Sequence, residues 1–243
     1  MRIALYSLSL FLPLLAACGD SAQSQTVAKA AAKASLASAD APVLVELFQS
    51  QGCSSCPPAN AALNQLADRK DVIALSFAVD YWDRLGWKDI FASPQFTQRQ
   101  RDYAASLKGG SVYTPQVVIN GTRELVGNGK GELANAVAAS KGVSGGPSVA
   151  VSGMKASIGA AKGSGTVWLV RYDPRTQNVA IKAGENGGRT LPHRNIVREL
   201  TKLGDWKGGA ANFDLPAAKD AKWKTVVIVQ SGKAGAVLAV GRG

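Results

Sequence analysis

Two continuous apolar runs stand out in the first half of the chain. "VLVELFQS" (43–50) and "DVIALSFAVD" (71–80) have the length and β-branched or aromatic content of buried strands. Between them, "PPANAALNQLADR" sets Ala62, Leu63, Leu66 and Ala67 on one face, with Pro57 and Pro58 where the first turn of a helix tolerates them. Strand, helix and strand in close succession predict a βαβ unit, because parallel strands need a crossover of this kind. Farther on, Ser93-Pro94 reads as an N-cap and first helical position, and Phe96, Arg99, Gln100 and Tyr103 share a face that continues to Leu107. A strand over Gln116–Asn120, a strand "RELVG" and a helix "GKGELANAVAAS" (129–140) complete this half.

From about residue 147 the pattern changes to alternation. "GTVWLVRYDP" and "NVAIKAGEN" flank a turn and predict a hairpin, as do the two halves of "KTVVIVQSGKAGAVLAVG". With "PSVAVSG" these make about five strands, and "HRNIVRELTKLG" reads as one intervening helix. The expected fold class is therefore α/β over 41–141, followed by a small, mostly β, sandwich-like domain over 147–243.

Charge supports that division. Lys and Arg against Asp and Glu number 10 and 9 over residues 41–141, but 15 and 6 over 142–243, out of a total net charge of +11. The break falls at the glycine-rich "KGVSGGPS" (141–148). An anionic membrane surface or an acidic envelope polymer suits the basic half as a partner, and a solvated surface with no partner is the plain alternative. No aromatic-basic RNA motif or zinc-finger spacing appears, so nucleic acid is not an expected partner.

The first 18 residues, "MRIALYSLSLFLPLLAAC", have one early charge and an apolar run ending in small residues, the form of a secretory signal. "LAAC" resembles the bacterial lipobox, and that resemblance implies lipidation of Cys18; ordinary cleavage after Ala39 is the alternative. Residues 19–40 are low in complexity and read as a flexible tether. Both routes place the protein in the periplasm or cell envelope, where disulfides persist.

Candidate chemistry centres on "QSQGCSSCPPAN" (49–60). Cys53 and Cys56 fall at a strand-to-helix turn, where free N–H groups and the helix dipole favour a thiolate at Cys53. Cys56, one turn farther in, is expected to be less exposed, which suits a nucleophile and a resolving thiol. Three readings stand open: a redox centre, a soft-metal (copper) site, or a permanent staple in a binding scaffold. The mature domain offers two cysteines and one distant histidine, too few for a closed zinc site. No metal or other cofactor is expected, and Asp80 with Asp83 is too small a set for a metal cage.

"YTPQVVING" (113–121) places Thr114-Pro115 immediately before a strand. With the C-x-x-C turn upstream, this pattern resembles the thioredoxin superfamily over roughly residues 42–141. The resemblance implies a cis Pro115 beside the cysteine pair, the backbone of Thr114 free to pair with an extended substrate, and protein thiols or disulfides as partners. Glu46 falls near that family's buried acid, which assists proton transfer at the resolving cysteine; a water-facing strand-edge charge is the other reading. Gly52 departs from the tryptophan usual before the first cysteine. "VDYWDRLGWKD", "SPQFTQRQRDYA" and "LPHRNIVREL" further resemble a bacterial secreted family of thioredoxin-like proteins with no assigned function, domain of unknown function 1223. The activity implied is that of an exported thiol–disulfide oxidoreductase, with a scaffold or a metal-handling protein as alternatives.

Tyr81, Trp82 and Trp87 are candidates either for a groove near the cysteines or for core packing. His193, the one histidine, reads as a hydrogen-bonded structural residue or as an acid–base group; no nucleophile-elbow pattern accompanies it.

Overall fold

A computed structural model describes residues 41–108 and 110–243. The expected signal segment, the tether and Cys18 lie outside the described residues. β1 (Val43–Gln49) and β2 (Val72–Ala78) are buried at every position and pair in parallel, Val43 opposite Val72. Both faces of these strands are covered, which is why their sequences are continuous apolar runs and not alternations. The helix between them, α1, runs Cys56–Leu66 with prolines in its first turn. It packs Ala59, Leu63 and Leu66 onto Val45, Leu47 and Ala74.

The next helix, α2 (Pro94–Ser106), begins at Ser93, whose side chain accepts from the Gln95 amide. Its buried face is Phe96, Thr97, Arg99, Gln100 and Tyr103, and it covers the opposite face of the sheet, against Leu44, Phe48, Leu75 and Phe77. β3 (Gln116–Ile119) pairs antiparallel with β1, and β4 (Arg123–Leu125) with β3. The last helix, α3 (Glu132–Ala138), buries Leu133, Ala136 and Val137 beside α1.

Every element after residue 148 is a strand. β7 (Gly165–Asp173), β10 (Ile196–Trp206), β12 (Lys224–Gln230) and β13 (Val237–Arg242) extend the first sheet to eight strands in the order β13-β12-β7-β10-β2-β1-β3-β4. β5 (Val149–Ser152), β6 (Lys155–Ile158) and β11 (Ala211–Asp214) form a three-stranded sheet. Its residues Ala156 and Ile158 pack with Val167, Leu169, Val227 and Val229, the sandwich-like part of the molecule. β8 (Gln177–Ala180) and β9 (Thr190–His193) make a separate ribbon.

Three details differ from expectation. "HRNIVRELTKLG" is strand and not helix: β10 pairs with β7 through two bulges and meets β2 in parallel at Ile196–Ser76. Its apolar residues fit a helical period, but a vacancy between two strands and the β-branched Ile196, Val197 and Thr201 favour extension. "GTVWLVRYDP" and "NVAIKAGEN" do not form a hairpin together; β7 pairs with β10 and β12, and β8 with β9. Residues on both sides of 141–148 contribute strands to the one large sheet, so the shift in charge does not mark a break in it.

The contact between the two stretches is close. The β3–β4 hairpin turns through Asn120 and Gly121 with positive φ at both, the primed turn that matches strand twist. The Asn120 carbonyl accepts from the Val237 amide, and a Cβ on Gly121 would lie 2.1 Å from the Gly235 carbonyl oxygen. Gly121→Ala is therefore expected to lower stability by about 3 kcal/mol, from the left-handed backbone and the overlap together. Urea unfolding measures it; a loss under about 1 kcal/mol would show that the turn is not pinned in this way.

Candidate functional site

β1 delivers the chain to a tight turn. The Gly52 amide donates to Ser50 Oγ at 3.1 Å and the Cys53 amide to the Ser50 carbonyl at 3.2 Å. The Cys56 amide then donates to the Cys53 carbonyl at 3.2 Å as α1 begins. Pro57 and Pro58 have no N–H to leave unsatisfied there. Cys53 and Cys56 are joined as a disulfide with their Cα atoms 5.4 Å apart. The expected asymmetry in exposure is not found: both cysteines are buried.

The peptide bond between Thr114 and Pro115 is cis. Ser55 links it to the disulfide turn, its Oγ 3.3 Å from the Thr114 carbonyl oxygen and 3.3 Å from Cys53 Sγ. The aromatic residues of the intervening segment gather at the same place. Trp82 Nε1 donates to Thr114 Oγ1 at 2.8 Å, and Trp87 Nε1 to Gln51 Oε1 at 2.9 Å. A Cβ on Gly52 would meet Trp82 Cβ at 3.6 Å, so Trp82, from another segment, lies against the residue preceding the first cysteine.

Glu46 is elsewhere. Leu44, Glu46 and Phe48 share the β1 face under α2, whereas α1 with Cys56 lies over Val45 and Leu47. Its carboxylate is fully buried and accepts from Arg99 Nε at 2.7 Å and Arg99 Nη2 at 3.1 Å. Tyr103 Oη donates to it as well. Burial alone would lower the basicity of Arg99, but the Glu46 charge outweighs that and holds the guanidinium protonated. Glu46 is neither a water-facing charge nor a free proton acceptor beside the cysteines.

His193 closes β9, where it is buried edge-on to the Phe91 ring at 5.8 Å. Neither ring nitrogen has a hydrogen-bond partner, and burial pushes its pKa down to about 4, which makes it a neutral residue at neutral pH.

Several site residues carry no signal in the sequence. Asp89 is buried and accepts from the Gln51 amide at 2.8 Å and the Phe91 amide at 2.9 Å. Burial pushes its pKa up to about 6, against the two amides that favour the charged form. Asn186, from the β8–β9 connection, donates to the carbonyls of Gln51 at 2.9 Å and Cys53 at 2.8 Å. Glu185 accepts from the Ser54 amide at 3.0 Å. More than 130 positions separate Glu185 and Asn186 from their partners in the chain, so no local pattern could join them. Among the described residues, no group of three or more His, Cys, Asp and Glu is placed to hold a metal.

The model of a family described as "Protein of unknown function (DUF1223)" matches residues 44–230. The chain belongs to that family. A crystal structure of protein AGR_C_4864 from Agrobacterium tumefaciens is similar to this family member at 33% identity and a TM-score of 0.70, covering 83% of this chain and 94% of that one. HBP35 of Porphyromonas gingivalis is similar in fold, with a TM-score of 0.54 at 12% identity over 84% of this chain and 75% of that one. No curated protein matches the sequence.

Proposed function

We propose that this family member is an exported thiol–disulfide oxidoreductase in which Cys53 and Cys56 form the exchanging pair. The observation that carries the reading is the disulfide at the start of α1, tied through Ser55 to the carbonyl beside the cis Thr114–Pro115 bond. The order β2-β1-β3-β4, with β1 and β2 parallel and helices after β1 and β4, supports a thioredoxin-like unit as its frame. A thiolate of a partner protein attacks Cys53 Sγ, and Cys56 leaves as a thiolate that takes up a proton. The second thiol of the partner then displaces Cys53, so that the partner is oxidised by two electrons and the pair reduced. The opposite direction runs the same steps backward. Glu46 has no part in this scheme; Thr114 and Pro115 shape the partner's approach. Signal-directed export with lipidation at Cys18 would put the chemistry in the envelope, and the basic residues of 142–243 would favour an anionic surface there.

One observation favours a second reading, a binding scaffold with a permanent disulfide: both sulfurs are buried, and Asp89 and Asn186 bind the turn on two sides. The reduction potential separates the two. An exchanging pair should lie above about −300 mV, and a permanent staple below it. In the envelope, Cys56→Ser should also trap mixed disulfides through Cys53. A potential below that limit, with nothing trapped, would leave the scaffold.

A further inference from the structure

The connection between β8 and β9, residues 181–189, lies across the disulfide turn although it is remote in sequence. Its anchoring is polar and specific. Asn186 is fully buried and uses its amide N–H groups on the carbonyls flanking Gly52, those of Gln51 and Cys53. Its own Oδ1 accepts from Arg189 Nη1 at 2.7 Å, which fixes the orientation of the amide. Gly184 takes φ +72°, and a Cβ there would approach Trp87 Cβ to 3.3 Å, so the loop also lies against the residue whose indole N–H holds Gln51. Glu185 is exposed, yet its carboxylate is bonded to the amide of Ser54, the residue directly after Cys53.

These contacts bear on the chemistry in two ways. A partner thiolate must reach a sulfur that is now buried, and the loop is fastened to the backbone on both sides of Cys53, so its release would loosen the turn that holds that sulfur. In addition, the Ser54 amide is one of the donors ahead of α1 that would favour an anion at Cys53, and the Glu185 carboxylate already occupies it. Asp89 is the other acidic group at the turn, on the Gln51 amide, while the Arg189 guanidinium is spent on Asn186. A thiolate formed at Cys53 therefore meets the Glu185 carboxylate on the next amide along the chain, while the Arg189 cation stands one residue farther off, behind Asn186.

We propose that the 181–189 loop governs the disulfide pair: Asn186 latches it over the turn, and Glu185 is a positioning residue whose charge disfavours the Cys53 thiolate and so the reduced form. The inference rests on the reading of Cys53–Cys56 as an exchangeable disulfide. Reduction by a dithiol breaks the S–S bond and leaves two cysteine thiols, one of them partly ionised, and oxidises the dithiol to its own disulfide.

The test uses the oxidised mature protein with two reductants. A phosphine attacks a disulfide directly, so the change in its rate on a substitution that alters no charge, such as Asn186→Ala, reports the cover. Equilibration with dithiothreitol reports the redox poise. Asn186→Ala is expected to speed phosphine reduction about tenfold, the effect on loop opening of losing two hydrogen bonds. Glu185→Gln, on an exposed side chain that leaves the fold intact, is expected to shift the dithiothreitol equilibrium about threefold toward the dithiol at low salt and to lower the midpoint of the Cys53 thiolate titration. Glu185→Asp should restore both, and added salt should shrink the shift. An unchanged phosphine rate in Asn186→Ala, or an unchanged equilibrium and titration in Glu185→Gln, overturns the proposal. A parent protein that dithiothreitol cannot reduce would instead sink the exchange reading, while the phosphine rates still report on the latch.

Discussion

Replacing Arg99 with methionine is expected to lower the unfolding free energy by about 3–5 kcal/mol, the cost of leaving one member of a buried ion pair alone. Arg99 is 2% and Glu46 0% exposed at the side chain, so water cannot take over for the lost partner. The guanidinium also lies 5.1–5.8 Å from the ring centroids of Phe77, Tyr103 and Trp168. It contacts Gln230 Oε1 at 3.3 Å, and Gln230 Nε2 donates to Tyr103 Oη at 2.9 Å. The network thus joins β1, α2 and β12, strands and helix from both stretches of the chain. Glu46→Gln should be costly for the converse reason, an arginine charge with no counter-ion. The double variant Glu46→Leu/Arg99→Met should recover much of the loss, because a buried pair replaced by apolar groups is often close to neutral. Guanidinium unfolding at neutral pH measures all three. A loss of less than about 1 kcal/mol in Arg99→Met would show that the pair is not a fixed part of the core.

The second large effect appears on acidification. Asp89→Asn is expected to lose about 3 kcal/mol of stability as the pH falls from 6.5 to 4, whereas the parent protein changes little over that window. His193 binds a proton at 6.5 when unfolded and at about 4 when folded. Below 6.5 the unfolded chain holds more protons, so stability from the neutral buried ring is present above 6.5 and lost toward 4. Asp89 works in the other direction. Its folded pKa of about 6 exceeds the ordinary 3.8, so its contribution is fully present below 3.8 and is lost as the pH rises through 6. The two nearly offset each other in the parent. Removing Asp89 uncovers the histidine. His193→Gln should give the mirror image, a gain of about 3 kcal/mol as the pH falls from 6 to 3.8. Urea midpoints taken across pH 4 to 7 check both variants, and parallel profiles for parent and Asp89→Asn would refute the assignment.

The parts legible in the sequence were those whose signal is local. β1, α1 and β2 could be read because burial on both faces of a strand leaves a continuous apolar run, and because the prolines mark where α1 begins. Ser93-Pro94 marked the start of α2, and its apolar period gave the buried face containing Arg99 and Tyr103. Glu46 was legible as a candidate but not in its role. Position on a strand tells which face a side chain takes only when the occupants of both faces are known, and the residue that claims Glu46 is 53 positions away.

The later half was less readable for a related reason. "HRNIVRELTKLG" has apolar spacing that suits a helix, and only the open edges of β2 and β7 on either side of it select a strand. Alternation correctly gave a β-rich segment, yet partner choice among strands is a long-range matter that no turn residue between β7 and β8 records. The cysteine turn and the Thr114-Pro115 pair before β3 were legible as short motifs, whereas the cis form of that bond was only what the resemblance implied and the disulfide was one of three open readings. What surrounds them was decided by folding: the burial of both sulfurs, the tryptophans at Gln51 and Thr114, and the loop carrying Glu185 and Asn186. Local chemistry is written in consecutive residues, whereas access and charge at a site depend on which distant segments the sheet brings beside it.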